Sequence, residues 1–241
     1  MHKKTVGAYV LNCCVLLGGL GTAHQAMAQD AATTYSKMAP VDQYLMADRD
    51  AEIALARSAA PESIAREAEV LVLGRQGFET AVKGKNGFVC IVGRGWTSAP
   101  ESEFWNPKVR VPMCVNGAAA RSYLLRVTRV TALALAGSTL AQASEVVLAE
   151  IEKGELPPME PGAMCYMMSK EGYGGDTFPH WPSHLMFFFS DVAPETWGAN
   201  LPGSPVLAVA DAAENLTQFA VPTRLWSDGT EDLQGLAGHH P

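Results

Sequence analysis

Residues 162–190 read GAMCYMMSKEGYGGDTFPHWPSHLMFFFS and decide the fold more than any other stretch of the chain. Two apolar runs, 164–168 and 185–189, have the length and composition of β-strands, and Gly and Pro are frequent in the loop between them. We therefore predict two strands that bury one face of a sheet. The loop would hold His180, Trp181 and His184 at the rim of that sheet.

Upstream segments alternate between helical and strand patterns. Three strand-like runs are separated by turn residues: 69–73, 78–83 and 88–92. Because Asn86-Gly87 tolerates the positive φ values of a tight hairpin turn, we predict that these runs form a three-stranded meander. A further short strand over 111–115 would carry Cys114.

Apolar spacing predicts helices over 41–59, ended by Pro61, and over 118–136. A third helix is predicted over 139–153, with Ser138 as its N-cap and Gly154 as its stop. Near the end of the chain we predict one helical turn and a final strand pair, in this order: 194–200, 205–209 and 216–221.

The order of these segments is helix, three strands, two helices and four strands. It predicts a single-domain α+β fold, with a mostly antiparallel sheet of about six to seven strands and helices on one face. The order alone resembles that of PAS- and profilin-like folds, which implies no ligand. The predicted boundaries are a signal peptide, a flexible lead-in, the domain and a loose tail: 1–28, 29–39, 40–227 and 228–241.

The first residues have the pattern of an export signal. Lys3 and Lys4 are basic, residues 6–20 are mostly apolar, and Ala26-Met27-Ala28 has the small-x-small pattern of a cleavage site. We predict cleavage after Ala28 and a periplasmic or extracellular protein. Since Asn12 interrupts the apolar run, we expect no stable membrane span after cleavage.

The net charge and the cysteine content indicate which partners and which cellular compartment suit this protein. The net charge is −7 and no basic cluster offsets it, so nucleic-acid binding is not expected. Of the five cysteines, three lie beyond the predicted leader. In an oxidising compartment we predict a disulfide between Cys90 and Cys114, with Cys165 a free thiol buried in a core strand.

Four stretches also carry a resemblance: GAMCYMMSK (162–170), HLMFFF (184–189), WGANLPGSPVLAV (197–209) and WSDGT (226–230). They resemble stretches of a family of secreted bacterial proteins that has no assigned activity. The resemblance covers most of the chain beyond the leader. It implies export and a single domain, and it brings no catalytic residues with it.

A binding site for a soft metal ion is one candidate for the function of these two strands. Strand alternation puts Cys165 and Met167 on one face, and His184 and Met186 on one face of the other strand. If the two strands pair in register, a thiolate, thioethers and an imidazole converge, and these ligands suit copper(I) or zinc. The alternative is that the methionines fill the core.

Enzyme motifs are absent from the sequence. It contains no G-x-S-x-G, S-x-x-K or H-E-x-x-H pattern, and prolines flank the pair His180 and His184. One acid–base pair stays open, in which Asp176, Asp191 or Glu171 would orient His184. The catalytic residues are therefore unknown.

A binding surface is the function that the sequence favours. Every tryptophan falls in a predicted loop or at an element end: Trp96, Trp105, Trp181, Trp197 and Trp226. Aromatic rings on loops stack on sugars and other flat ligands, although a single such ring more often covers the core edge. We predict an exported small-ligand-binding or sensor-like protein that uses His180, Trp181, His184, Trp105 and Trp96. A copper- or zinc-dependent enzyme or metal-binding protein is the alternative.

Overall fold

A computed structural model of the protein describes residues 35–98, 101–211 and 215–233. The predicted leader and its cleavage site lie outside these residues. The described strands form one eight-stranded sheet in the order β2-β1-β3-β4-β5-β6-β8-β7. Their bounds are β1 Glu69–Gly74, β2 Gly77–Val82, β3 Val89–Gly93, β4 Val111–Val115, β5 Met164–Met167, β6 His184–Phe189, β7 Leu207–Asp211 and β8 Leu216–Pro222.

Helices precede, interrupt and follow the first half of the sheet. Their bounds are α1 Arg49–Arg57, α2 Glu62–Ala65, α3 Gly95–Ser98, α4 Gly117–Ala120, α5 Tyr123–Leu135 and α6 Leu140–Glu152. Short 3₁₀ turns occupy Val41–Gln43, Glu101–Glu103 and Pro194–Trp197. None of the helices in the described part of the chain has the length and apolarity needed to cross a membrane.

The predicted α+β class is confirmed, and the sheet has eight strands rather than six to seven. The short strand predicted over 111–115 is confirmed as β4, which pairs antiparallel with β3 along its whole length. Every described pairing is antiparallel except that of β1 with β3, which is parallel. The final strand pair predicted near the end of the chain is confirmed as β7 and β8.

The predicted meander is wrong in its third strand. Strand β3 leaves β2 and pairs with the other side of β1. The chain makes this crossing at Gly84, where an added Cβ would lie 2.2 Å from the backbone nitrogen of Glu69. Gly87 has the positive φ predicted for the turn, but the Asn86 side chain donates to the carbonyl of Ile64 instead of closing a hairpin.

Helices cover both faces of the sheet, where the sequence predicted one. On one face, α1 and α2 pack against alternate residues of β1, β3 and β4, with Val70, Val92 and Cys114 in the buried cluster. On the other face, α5 packs against the residues between them, among them Ile91 and Met113. Side chains on both faces of the β1, β3 and β4 region are therefore buried.

Helix ends follow local capping chemistry. The predicted helix over 41–59 is a 3₁₀ turn followed by α1, which begins after the N-cap Asp48. The predicted helix over 118–136 is divided into α4 and α5. Thr139, and not Ser138, caps α6, because its side chain forms a capping box with Gln142.

The cysteine prediction is confirmed. Cys90 and Cys114 lie opposite each other in β3 and β4 and form a disulfide, with a Cα–Cα distance of 4.0 Å. Cys165 in β5 lies opposite Val115, one residue further along β4, and is a free buried thiol. Since successive residues of a strand point to opposite faces, Cys165 faces away from the disulfide.

Candidate functional site

A cavity of about 590 Å³ lies between the sheet and α5, on the face opposite α1. Its floor consists of buried side chains from β4, β5 and β6, namely Met113, Cys165 and Phe188. Apolar residues on its wall are exposed to solvent: Phe178, Leu207 and Val209. The cavity therefore opens to the surface through an apolar rim.

The register of β5 and β6 brings the predicted soft-metal residues together. Cys165 lies opposite Met186, and Met167 lies opposite His184. Directly opposed residues of antiparallel strands project to the same face, with Cβ atoms about 5 Å apart. All four side chains line the cavity. Sequence alternation had predicted the two pairs, and the strand pairing places them side by side.

His184 has a defined tautomer. Its Nδ1 lies 2.7 Å from the carbonyl oxygen of Pro182, which only accepts hydrogen bonds, so Nδ1 carries the proton. Burial lowers the pKa of His184 from its usual value. The neutral ring therefore has the Nε2 lone pair as an acceptor. A backbone carbonyl that fixes the tautomer in this way is also typical of histidine metal ligands.

Trp181 forms part of the wall, and its indole N–H has no hydrogen-bond partner among the described residues. Its ring packs on the backbone at Gly172 and Gly174, where an added Cβ would lie 2.4 Å and 3.3 Å from ring carbons. The Nε1 atom is buried and makes no hydrogen bond within the described part of the chain. By contrast, Nε1 of Trp96, which also lines the cavity, donates to Thr131 Oγ1 at 3.1 Å.

Two predicted ligand-binding residues lie outside the cavity wall. His180 is exposed, and its Nδ1 is 3.1 Å from the carbonyl oxygen of Gly172. Trp105 is buried against Trp96 and Phe104 behind the wall. Of the other tryptophans, Trp197 lies in the 3₁₀ turn Pro194–Trp197, where it stacks on Phe219 and contacts Phe187 and Phe189. Trp226 does not line the cavity.

The proposed acid–base pair does not form with Asp176. Its carboxylate accepts hydrogen bonds from the hydroxyls of Tyr173 and Tyr35 and from Lys108 Nζ, 2.9 Å away. These hydrogen bonds, with that of Tyr173 first, lower the pKa of Asp176 to about 2. Asp176 thus ties the loop 172–182 to the start of the described chain, and the His184 ring is oriented by a carbonyl.

Buried polar groups hold the loops that form the wall. Arg94 is fully buried and donates to the carboxylate of Glu52 at 2.8 Å and to the carbonyl of Tyr44, which fixes the segment that carries Trp96. Glu103 is also buried and accepts from the backbone N–H and the hydroxyl of Thr177. The loop with Phe178 and Trp181 is anchored in this way.

Charged groups are absent from the part of the wall formed by described residues. Burial also raises the pKa of the Cys165 thiol, so this group is protonated at neutral pH. No group of three or more His, Cys, Asp or Glu side chains suited to a metal ion occurs in residues 35–98, 101–211 or 215–233. The described part of the cavity is therefore a mostly apolar, uncharged space that contains a neutral imidazole.

Several lining residues were missed by the sequence analysis, among them Tyr123, Leu207, Gln218 and Ala220. They come from α5, β7 and β8, which are far apart in the sequence and come together only in the folded protein. Strand alternation alone groups Gln218 with Ala220, but it does not tell which face is the cavity face. Comparison of the sequence with known protein families, curated proteins and solved structures found no match.

Proposed function

We propose that the protein is an exported binding or sensor-like protein that takes up a small, mostly apolar molecule in the cavity between α5 and the sheet. The observation that carries the proposal is the lining: an apolar wall that contains few polar groups and opens to solvent. Small-molecule sites are concave and mostly apolar, with a few polar groups that fix orientation. Export rests on the leader pattern before Gln29.

The residues around the cavity favour a ligand-binding site over an ordinary packed hydrophobic core. Core interiors are close-packed and leave few voids larger than a water molecule. Here buried floor residues border a space of about 590 Å³, and Leu207 and Val209 stay exposed at the sheet edge. A ligand in this space would cover apolar surface that the chain leaves open.

The neutral dye N-phenyl-1-naphthylamine tests this function, because its fluorescence rises in apolar surroundings. We expect saturable, one-to-one binding to the wild type. Ala220→Phe should abolish it, because Ala220 lines the cavity next to Met186 and Leu207. The control is Val221→Phe, which changes the neighbouring residue on the opposite face of β8.

The outcome of this pair of variants is decisive. Loss of dye binding in Ala220→Phe alone places the dye in the cavity. No saturable binding to the wild type, or equal binding to the wild type and both variants, would contradict the proposed function.

Copper(I) binding is a second candidate, favoured by the register that sets Cys165 and Met186 beside Met167 and His184. Two thioethers, a thiol sulfur and an imidazole nitrogen are soft ligands, which copper(I) prefers. Against it, the raised pKa of Cys165 means that the metal must displace a proton.

Anaerobic titration of the protein with copper(I) against a chromophoric chelator separates this candidate from the first. A copper site predicts one tightly held ion, lost in Met186→Leu and kept in Met164→Leu, since Met164 lies opposite Phe187 on the other face. If all copper stays with the chelator, or if both variants behave alike, the cavity holds no copper site.

A further inference from the structure

One row of directly opposed residues forms a strip along the cavity. Cys165 in β5 lies opposite Met186 in β6, and Met186 lies opposite Ala220 in β8. Ala220 in turn lies opposite Leu207 in β7. Directly opposed residues project to the same face of a sheet, and all four side chains line the cavity. Because neighbouring strands are about 4.8 Å apart, the row is about 14 Å long.

Solvent exposure rises from one end of this row to the other. Cys165 is 0% exposed and belongs to the buried cluster that α5 covers. Met186 and Ala220 are half-buried, and Leu207 is 42% exposed. The strip is therefore closed at β5 and open at β7, which is the edge strand of the sheet.

The charge of the wall separates what can lie inside the cavity from what must stay outside. No Asp, Glu, Lys or Arg occurs in the described part of the wall. An ionised group that entered this space would lose its hydration without gaining a counter-charge, which is strongly unfavourable. At the β7 end, however, Val209 is 67% exposed, so a polar or charged group beside it keeps its contact with water.

We infer that the ligand is a single-chain amphiphile, whose alkyl chain enters the cavity at β7 and ends near Met186 and Cys165. Its polar head stays in solvent beside Val209. A strip of about 14 Å suits an extended chain of about ten carbons, since each C–C bond is about 1.5 Å long. This inference rests on the proposed function, because it specifies the ligand of the same cavity.

Alkyl chains occur both in free amphiphiles and in membrane lipids, and the charge of the protein favours the free form. Lipid phosphates are typically bound by Arg or Lys, and neither lines the described part of the cavity. The net charge of −7 also opposes approach to an anionic membrane. The protein should stay in the supernatant when vesicles of phosphatidylcholine and phosphatidylglycerol are sedimented. Cosedimentation would overturn the assignment to a free amphiphile.

A series of n-alkanoates from hexanoate to tetradecanoate tests the chain. Each displaces N-phenyl-1-naphthylamine from the protein below its critical micelle concentration, and the displacement gives its dissociation constant. Affinity should rise about fourfold for each added methylene up to decanoate, because each methylene leaves water for the cavity. From dodecanoate to tetradecanoate it should change by less than about twofold in total, because the added carbons would lie in water beyond Leu207.

Charge at the open end tests the orientation of the chain. The reference probe is decyldimethylamine oxide, whose head carries no net charge at neutral pH. In Val209→Lys the affinity for decanoate relative to this probe should rise at least about threefold, and in Val209→Glu it should fall by a similar factor. The controls are Ala210→Lys and Ala210→Glu, which place the same charges on the opposite, exposed face of β7 and should keep the wild-type ratio.

Failure of this inference and failure of the proposed function give different results. If the dye binds the wild type and is lost in Ala220→Phe, the proposed function stands. An affinity that does not rise with chain length, or that still rises fourfold per methylene up to tetradecanoate, then overturns the amphiphile inference. A ratio that stays unchanged in both Val209 variants also overturns it. If neither the dye nor any alkanoate binds the wild type in calorimetry, the proposed function falls and the inference falls with it.

Discussion

Met167 lies directly opposite His184 in the pairing of β5 with β6, and both side chains line the cavity. The imidazole therefore has a thioether as its cross-strand neighbour and a carbonyl as its hydrogen-bond partner. No described carboxylate forms an ion pair with it. Because these surroundings favour the neutral imidazole, the free energy of unfolding should depend on pH.

We expect the protein to lose stability on acidification from pH 7 to pH 5, in part through His184. Burial lowers the pKa of His184 in the folded state, while its unfolded-state pKa is about 6.5. The unfolded chain thus binds the proton first, and the free energy of unfolding falls as pH drops below about 6.5, on the order of 1 kcal/mol from this group. Urea unfolding at both pH values measures the loss.

The variant His184→Gln should reduce this pH dependence, whatever its effect on stability at pH 7. His180→Gln is the control, since His180 is exposed, and it should keep the wild-type dependence. An unchanged pH dependence in His184→Gln would show that the folded protein accepts a charged ring at this position.

The disulfide gives a second prediction. Cys90 and Cys114 are 24 residues apart, so their bridge restricts the unfolded chain and should contribute about 3 kcal/mol to stability. Peptide mapping without reductant should find these two residues linked and Cys165 alkylated only after unfolding. A bridge that contains Cys165 would contradict the strand register, which places Cys165 on the other face of the sheet.

Local structure could be predicted from the sequence because it depends on neighbouring residues. The Gly-rich loop between 164–168 and 185–189 does join two paired strands, β5 and β6. Pro61 does precede a helical turn, and Gly154 follows α6 with a φ of 74°. Alternation also predicted that Cys165 and Met167 share a face. The leader, the compartment and the family resemblance stay predictions.

Long-range structure could not be predicted in the same way. The turn at Asn86-Gly87 is typical of a hairpin, yet the Asn86 side chain donates a hydrogen bond to the carbonyl of Ile64, 22 residues away in the sequence. The hydrogen bond of the Trp96 N–H likewise depends on Thr131, which lies 35 residues away in the sequence. Neither fact is encoded in spacing or composition, so the cavity itself was visible only in the structure.

The crossing of the chain at Gly84 leads to a third prediction. In Gly84→Ala the new Cβ would lie 2.2 Å from the nitrogen of Glu69, a backbone atom that cannot move aside without disturbing β1. We expect a loss of at least about 2 kcal/mol in urea unfolding, as for overpacked cores. Gly117→Ala is the control, because its nearest neighbour is the flexible end of Arg121, and it should change stability by less than about 0.5 kcal/mol. Equal effects would argue against the close crossing.

The contacts of Asp176 give a fourth prediction, about the loop that carries Trp181. In Asp176→Asn the hydrogen bonds from Tyr173, Tyr35 and Lys108 are weakened, so backbone amides of 172–182 should exchange with solvent faster at neutral pH. In the wild type, the lowered pKa means that this protection is present above about pH 4 and is lost as pH falls through about 2. Hydrogen exchange with mass spectrometry tests both statements.

Asp191→Asn is the matched control for this loop variant. Asp191 is exposed at a positive φ of 59°, which asparagine also tolerates. Asp191→Asn should leave the rate of amide hydrogen exchange in 172–182 unchanged. If Asp176→Asn also leaves it unchanged, the loop is held by Glu103 and its other contacts and not by Asp176.

Methionine methyl resonances test the central claim most directly, because Met113, Met167 and Met186 line the cavity while Met46 and Met168 do not. The measurement is a titration of ¹³C-methyl-methionine-labelled protein with 4-phenylphenol, followed by NMR. If the cavity binds small neutral molecules, saturation should shift the resonances of Met113, Met167 and Met186 and leave those of Met46 and Met168 in place. Shifts that are absent, or that spread equally over all five methionines, would contradict the account.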